Sequence, residues 1–364
     1  DLSLELGAIA STANSNGTEY TPEYVVADGT LTVSSPAVVG ISDALDTVVD
    51  GTGGTLEEVI GDEGLLNQLA GIGVNVDLGS VGRIAIGGDD AKVSVEVRDA
   101  LNSVVENAIK EKLEDKSGIV AIDLASGKIA IDLAKVVEGG NGEDLNGLDP
   151  NTQVLTSETI SKITTAVADA LGALTGKVNE TLTDALNDVH LKIELPAEIR
   201  LGLPIAKGEI IIDATLGQLA GTDETDPKIS TTLDLLGIIP LGELLNLITE
   251  PLLDAVLGIT KPLISDILEA TAEEVSGAVT GIVDPILDSL DPVFGALNQV
   301  VDLTINEQSP VPTPPASGAS AQSALENSYV DGDNGDGFTV NAVSLELLPE
   351  AGAVDVNLAS SSVR

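Results

Sequence analysis

Cysteine, methionine and tryptophan are missing from all 364 residues, and the aromatic side chains amount to three Tyr and two Phe. No disulfide framework or thiol centre can exist, and cysteine usage leaves the redox compartment unassigned. With none of these three residues, the chain offers oxidants little to attack, which suits a long life outside the cell. Cations are scarce too: 16 Lys+Arg stand against 59 Asp+Glu, a formal net charge of −43 with a pI of about 4.1. A polyanion of this kind repels nucleic acid and anionic membrane surfaces, which bind basic stripes. No uncharged apolar run reaches the roughly 18–20 residues that span a bilayer. Asp1 rather than Met opens the chain, with no basic and then apolar leader before it, so processing or truncation is the expected origin of this N-terminus.

Hydrophobic residues make up 43% and mean hydropathy is +0.27. That places the chain outside the region of low hydrophobicity and high charge where chains stay disordered. Leu, Ile, Val and Ala must therefore pack the core, and 38 glycines imply many turns. The length suggests two or three domains, or one large domain with an extension.

Leu2-Ser3-Leu4-Glu5-Leu6 alternates at period two, the signature of a strand with one buried face. Tyr24-Val25-Val26 and Thr30-Leu31-Thr32-Val33, separated by Asp28-Gly29, read as a hairpin. Strands are expected at 74–78, 83–86 and 92–97. From Leu101 the period changes: Leu101, Val104, Val105, Ala108 and Ile109 fall on one face of a helix. The similar runs 119–124 and 129–133, around Ser126-Gly127, read as a second hairpin. A long amphipathic helix is expected over 157–188, and strands over 191–195, 208–215 and 228–235. Pro240, Pro251, Pro262, Pro285 and Pro292 each open a short aliphatic run. Because Pro suits the first turn of a helix, these read as short helices packed together.

After a strand at 301–305, the run Gln308 to Pro315 and the Ser, Gly, Ala and Asn beyond it read as an extended, partly polyproline linker. Two alternating segments follow, 338–347 and 353–358. The expected class is α+β: β-sandwich-like antiparallel sheets, an inserted helical subdomain, and a C-terminal strand segment after a Pro-rich linker. Residues 1–236 would form the β-rich scaffold, with helices inserted at about 98–115 and 157–188. Residues 237–299 would form the helical subdomain, 300–307 a returning strand, 308–337 the linker and 338–364 the terminal β segment.

Catalytic chemistry finds little to use. The lone histidine, His190, sits at a helix-to-strand junction with no Gly-x-Ser-x-Gly elbow in the chain, and reads as structural or surface. Carboxylate pairs are inevitable among 59 acids, yet sugar-cleaving sites normally stack rings on aromatic faces, and five aromatics leave little to build with. Asp331, Asp333, Asn334 and Asp336 lie in a Gly-rich loop with the oxygen ligands that Ca²⁺ prefers. It is not an EF-hand, because the fifth position is Gly335 and the twelfth is Ala342. Its bland reading is a solvated turn before a strand. Leu348-Pro349-Glu350-Ala351-Gly352 has the look of a sortase pentapeptide, but the residues after it alternate like a strand, so Pro and Gly are expected to turn a terminal hairpin. The apolar runs between Pro240 and Leu297 read as core rather than a lipid pocket.

Several phrases resemble the choice-of-anchor G family: Leu4-Glu5-Leu6-Gly7-Ala8, Tyr24 to Gly29, Leu31 to Val38, Leu148-Asp149-Pro150-Asn151-Thr152, Phe338 to Val343 and Val356 to Val363. These are secreted, surface-displayed proteins of Gram-positive actinobacteria, with sequence upstream of the matching region and an anchor after it. The resemblance covers nearly the whole chain and implies an exported surface protein, attached to the cell wall, with no catalytic residue to transfer.

The expected function follows from shape and surface: a non-enzymatic extracellular or cell-surface structural protein whose copies assemble head to tail by strand addition. Candidate donors are the N-terminal segment with Leu2, Leu4 and Leu6, and the C-terminal segment with Phe338, Val340, Val343, Leu345 and Leu347. The partner is another copy of the chain, with Ca²⁺ the one cofactor suggested. Rival readings are a monomeric adhesin or wall-layer protein, and a secreted hydrolase.

Overall fold

A computed structural model describes residues 1–16, 19–60, 64–95, 97–137, 139–201, 203–233, 241–309 and 337–363. In chain order its elements are β1 (Leu2–Leu6), β2 (Ile9–Ser15), β3 (Tyr20–Val26), β4 (Gly29–Ser34), α1 (Pro36–Ile60), α2 (Leu65–Ala70), β5 (Val74–Asp77), β6 (Arg83–Ile86) and β7 (Lys92–Val95). Then come α3 (Arg98–Lys110), β8 (Leu113–Glu114), β9 (Val120–Asp123), β10 (Lys128–Asp132), α4 (Leu133–Val136), β11 (Thr152–Gln153), α5 (Ser157–Asn187), β12 (His190–Leu201) and β13 (Leu203–Thr215). The chain closes with α6 (Leu216–Ala220), β14 (Lys228–Thr231), α7 (Leu241–Gly295), α8 (Leu297–Val300), β15 (Val301–Ser309), β16 (Phe338–Leu347) and β17 (Val354–Val363). The protein is α+β with several antiparallel sheets, one curled into a half-barrel. No helix among the described residues is long and apolar enough to cross a membrane.

Two compact units divide the chain: Asp1–Ile41, Glu111–Ala173 and Ile282–Arg364 form the first, and Ser42–Lys110 with Leu174–Gly281 the second. The first holds a five-stranded sheet, β1-β4-β10-β9-β8, a four-stranded sheet, β11-β15-β16-β17, and the pair β2-β3. The second holds the sheet β14-β13-β12-β6-β5, with β7 also on β12. The twelve-residue strand β12 is long enough to take β7 along Leu191–Glu194 and β6 along Ala197–Arg200. Its alternation buries Leu191, Ile193, Leu195, Ala197 and Ile199 and leaves the intervening polar positions at the surface. Burying such an aliphatic side chain stabilises the fold by about 1.5–3 kcal/mol. After β13, Thr215 and Gln218 form a reciprocal capping box and Gly221 closes α6 in the left-handed conformation, φ 78°. This is local chemistry that starts and stops the helix within five residues.

Three elements differ from the sequence reading. The strands flanking Asp28-Gly29 do not pair with each other: β3 pairs with β2, and β4 with β1. The junction runs straight on, with Gly7 N–H donating to Asp28 O and Ala27 N–H to Ala8 O, both at 3.0 Å. Leu2↔Val33 and Ile9↔Val26 thus belong to one register, and residues 2–15 pair with 20–34 as a single long two-stranded ribbon. Gly29 is needed for space rather than a turn, since a Cβ there would lie 2.7 Å from Leu145 Cδ1.

The proline-led runs are not separate helices either, because Pro251, Pro262, Pro285 and Pro292 all lie inside α7; Pro240 lies outside the described residues. Each interior proline removes one helical N–H and frees the carbonyl four residues back. Those carbonyls belong to Leu247, Gly258, Gly281 and Asp288, all exposed residues, so water can take the place of the lost donor. Finally, Pro36–Ile60 is helical although Gly40, Gly51, Gly53 and Gly54 lower its propensity. Val38, Ile41, Leu45, Val49, Leu56 and Ile60 are all buried along it, and packing outweighs the glycines.

Candidate functional site

The C-terminal sheet of the first unit is assembled from distant parts of the chain. Its middle strand is β16, which pairs with β15 on one side, Val301↔Leu347 through Ser309↔Thr339, and with β17 on the other, Leu347↔Val354 through Phe338↔Val363. Leu348 and Gly352, both in the left-handed region at φ 52° and 57°, bracket the Pro349–Ala351 turn between β16 and β17. This is the terminal hairpin that Pro349 and Gly352 suggest. Val340, Ala342 and Val343 of β16 are fully buried, as is Ile305 of β15.

Polar groups fix the register. Thr339, Asn341, Ser344, Asn306 and Gln308 are buried. Asn341 Nδ2 donates to Glu307 Oε2 at 2.6 Å on the β15 side, while its Oδ1 accepts from Ser360 Oγ at 2.6 Å on the β17 side. Thr339 and Ser362 join hydroxyls at 2.9 Å. Asn306 Nδ2 donates to Leu148 O at 3.0 Å, and Gln308 Nε2 donates to Asn306 Oδ1 at 2.9 Å. A shift of β16 would strand these groups in the interior, so β16 pairs with its neighbours in one register.

The ribbon β2-β3 packs on the same strands. Ser11 Oγ donates to Ala359 O and to Val340 O, Ala13 N–H donates to Ser361 Oγ at 3.0 Å, and the Tyr20 ring stacks on Phe338. On both sides of Ala342 the neighbouring strands bend, with Asn306 at φ 55° and Ala359 at φ 52°. Along one row three carboxylates face each other across three strands, Asp302↔Glu346↔Asp355. Burial, and then the charges of Asp355, Asp302 and Glu307, push the Glu346 carboxyl above its ordinary value.

Both candidate donor segments thus pair within their own chain. Leu2, Leu4 and Leu6 lie on β1, an edge strand bonded only to β4 in its sheet, with Leu2 exposed. Phe338, Val340, Val343, Leu345 and Leu347 lie on β16, an inner strand. The candidate calcium ligands Asp331, Asp333, Asn334 and Asp336 lie outside the described residues. His190 belongs to the second unit, where its exposed ring holds Nδ1 3.4 Å from Asp213 Oδ1. The sequence reading missed the clasp of the β2-β3 ribbon on the C-terminal hairpin. The signal that could have found it is aromatic scarcity, since Tyr20 and Phe338 are two of only five rings.

These features define an α+β protein whose β16–β17 hairpin pairs on β15 at the end of a four-stranded sheet. The chain belongs to the family described as a domain of unknown function, DUF8394, which it matches over residues 1–364. No curated protein and no solved structure matches it.

Proposed function

We propose that this chain is a non-enzymatic extracellular structural subunit, displayed at the cell surface and assembling head to tail by exchange of its β16–β17 hairpin. One observation carries the reading. Strands β15 and β16 are antiparallel neighbours whose ends, Ser309 and Thr339, lie opposite each other, a geometry that a loop of two to five residues closes. Yet residues 310–337, 28 in all, join them. A segment of that length, extended at about 3.3 Å per residue, reaches up to roughly 90 Å. It is long enough to carry the hairpin into the vacated slot of a neighbour, where the same main-chain bonds and polar row would receive it. A non-closing exchange of this kind builds a filament. The resemblance to the choice-of-anchor G family supports an exported location and wall attachment. Calcium at Asp331, Asp333, Asn334 and Asp336 would act beside the exchanged strand.

The absence of cysteine gives a clean test. Thr304 and Ser344 lie directly opposite each other on β15 and β16. Chains carrying Thr304→Cys alone and Ser344→Cys alone, mixed under conditions that form filaments and then oxidised, are expected to yield disulfide-linked heterodimers. Filaments on negative-stain grids without any such link would refute hairpin exchange. The second reading, a monomeric adhesin or wall-layer protein, is favoured by the pairing of both donor segments within one chain, and dispersed single particles on the same grids would support it.

A further inference from the structure

The outward face of the second unit's sheet gathers six of the chain's 16 basic residues: Arg83, Lys92, Lys192, Arg200, Lys207 and Lys228, all exposed. Five acids share those strands (Asp77, Glu194, Glu198, Glu209 and Asp213), and Asp89 and Asp90 lie between β6 and β7. Six cations against seven anions leave this face within one charge of neutral in a chain of −43. Glu198 lies within ion-pair distance of both Arg200 and Lys207, and Glu194 of both Lys192 and Lys92. Hydrogen bonds from Arg200 and Lys192 hold these two carboxyls below their ordinary values.

At the far end of the face two arginines meet, Arg83 opposite Asp77 on β5 and Arg200 hydrogen-bonded to Glu198. Arg83 and Arg200 lie directly opposite each other on β6 and β12, a like-charge pair that is unfavourable across strands. Both line a cleft of about 460 Å³ with Asn75, Asp77 and Leu201. Beside them Leu201 and Leu203, at the end of the β12–β13 hairpin, are 59% and 76% exposed.

We propose that this sheet end docks an acidic, apolar-edged segment of a second copy of the chain. The proposal rests on reading the protein as a self-assembling subunit, and it supplies a contact separate from the hairpin slot. Charge complementarity selects the occupant. The remaining residues carry essentially the whole net charge, so on average two copies meeting away from this face bring negative against negative. Here a neighbour's carboxylates would lie between two arginines and relieve their repulsion, while Leu201 and Leu203 lose water. Because a near-neutral face meets an acidic one, the contact is heterologous and runs in one direction.

Sedimentation velocity on the full chain, over a concentration series at about 0.1 M salt where screening acts over roughly 10 Å, tests this. Arg83→Glu with Arg200→Glu is expected to weaken self-association at least about tenfold relative to Lys112→Glu with Lys116→Glu, which changes net charge equally at exposed sites in the first unit. Arg83→Gln with Arg200→Gln should fall between, and circular dichroism confirms that each variant folds. Equal weakening by the control pair would overturn the proposal. So would a wild-type chain that stays monomeric throughout, or one that stays monomeric while binding polyglutamate, which would assign the cleft to an acidic polymer instead. A chain whose hairpin cannot exchange should still associate through this face, so failure of the exchange mechanism and failure of this contact give different results.

Discussion

Tyr20 and Phe338 stack with ring centroids 4.9 Å apart and planes 9° from parallel, joining the tip of the N-terminal ribbon to the first residue of the C-terminal hairpin. In a chain of five aromatics, this pair is a large local contribution to one seam. Phe338 is buried, so Phe338→Ala is expected to cost about 3–4 kcal/mol. Tyr20 is partly exposed, and Tyr20→Ala should cost about 1 kcal/mol. A double-mutant cycle followed by circular dichroism in urea should return a coupling of about 1 kcal/mol. Simple additivity would mean that the stack contributes nothing beyond burial.

Replacing residues 310–337 with the three residues Thr-Asn-Gly, the threonine opposite Phe338 and Asn-Gly as the turn, keeps the β15–β16 register but removes the reach needed for exchange. Shortening the connection from 28 to 3 residues lowers its closure cost by about 2 kcal/mol, so the variant should unfold at higher urea. It should also form no hairpin-exchanged filaments. Filaments unchanged from wild type on negative-stain grids would count against the exchange mechanism.

Ala359 occupies the left-handed region at φ 52°, where a Cβ is strained. Ala359→Gly relieves that strain at the expense of a more flexible unfolded chain, for an expected net gain of about 0.5–1 kcal/mol. Thermal unfolding reads it, and a loss of stability would show that the bend is held by something the alanine methyl itself provides.

Glu346 is an acid whose carboxyl is raised in the folded state. Below the ordinary carboxylate value both states are protonated and the group is neutral to stability. Between the ordinary and the raised value the folded state holds its proton longer than the unfolded one, so stability falls as pH rises, and above the raised value the full penalty is present. Glu346→Gln should therefore raise the melting temperature at pH 7, with the gain over wild type shrinking as pH drops into the carboxylate range. A gain independent of pH would point to packing rather than charge.

Alternation made most strands legible, because period two survives wherever one face is buried, as in β12, β16 and the β9–β10 pair. The helices α3 and α5 showed their apolar stripes for the same reason at period 3.6. What stayed hidden depended on partners far along the chain. Asp28-Gly29 has ordinary turn chemistry, and only the pairing of residues 2–15 with 20–34 reveals a through-running ribbon. The prolines of α7 read as helix starts because local propensity cannot see that each freed carbonyl belongs to an exposed residue.

The candidate site was half visible. The alternation of 338–347 marked a strand, though not that both its faces are buried, and the Pro/Gly-rich stretch before it marked a linker. Its neighbours could not be inferred: the Asp302, Glu346 and Asp355 row is three separate acids in the sequence, and Ser11 lies 348 residues from Ala359. Likewise Arg83 and Arg200 become a pair only through the β6–β12 register.

The through-running ribbon also sets how the first unit bears a mechanical load. Tension applied at Asp1 meets the five β1–β4 pairs in succession, starting at Leu2↔Val33, so they yield one after another like a zip. Only after Leu6 has parted does the pull arrive at Ser11 and Ala13, which hold β17. Weak tugging is thereby absorbed in the outermost strand while the C-terminal seam stays shut.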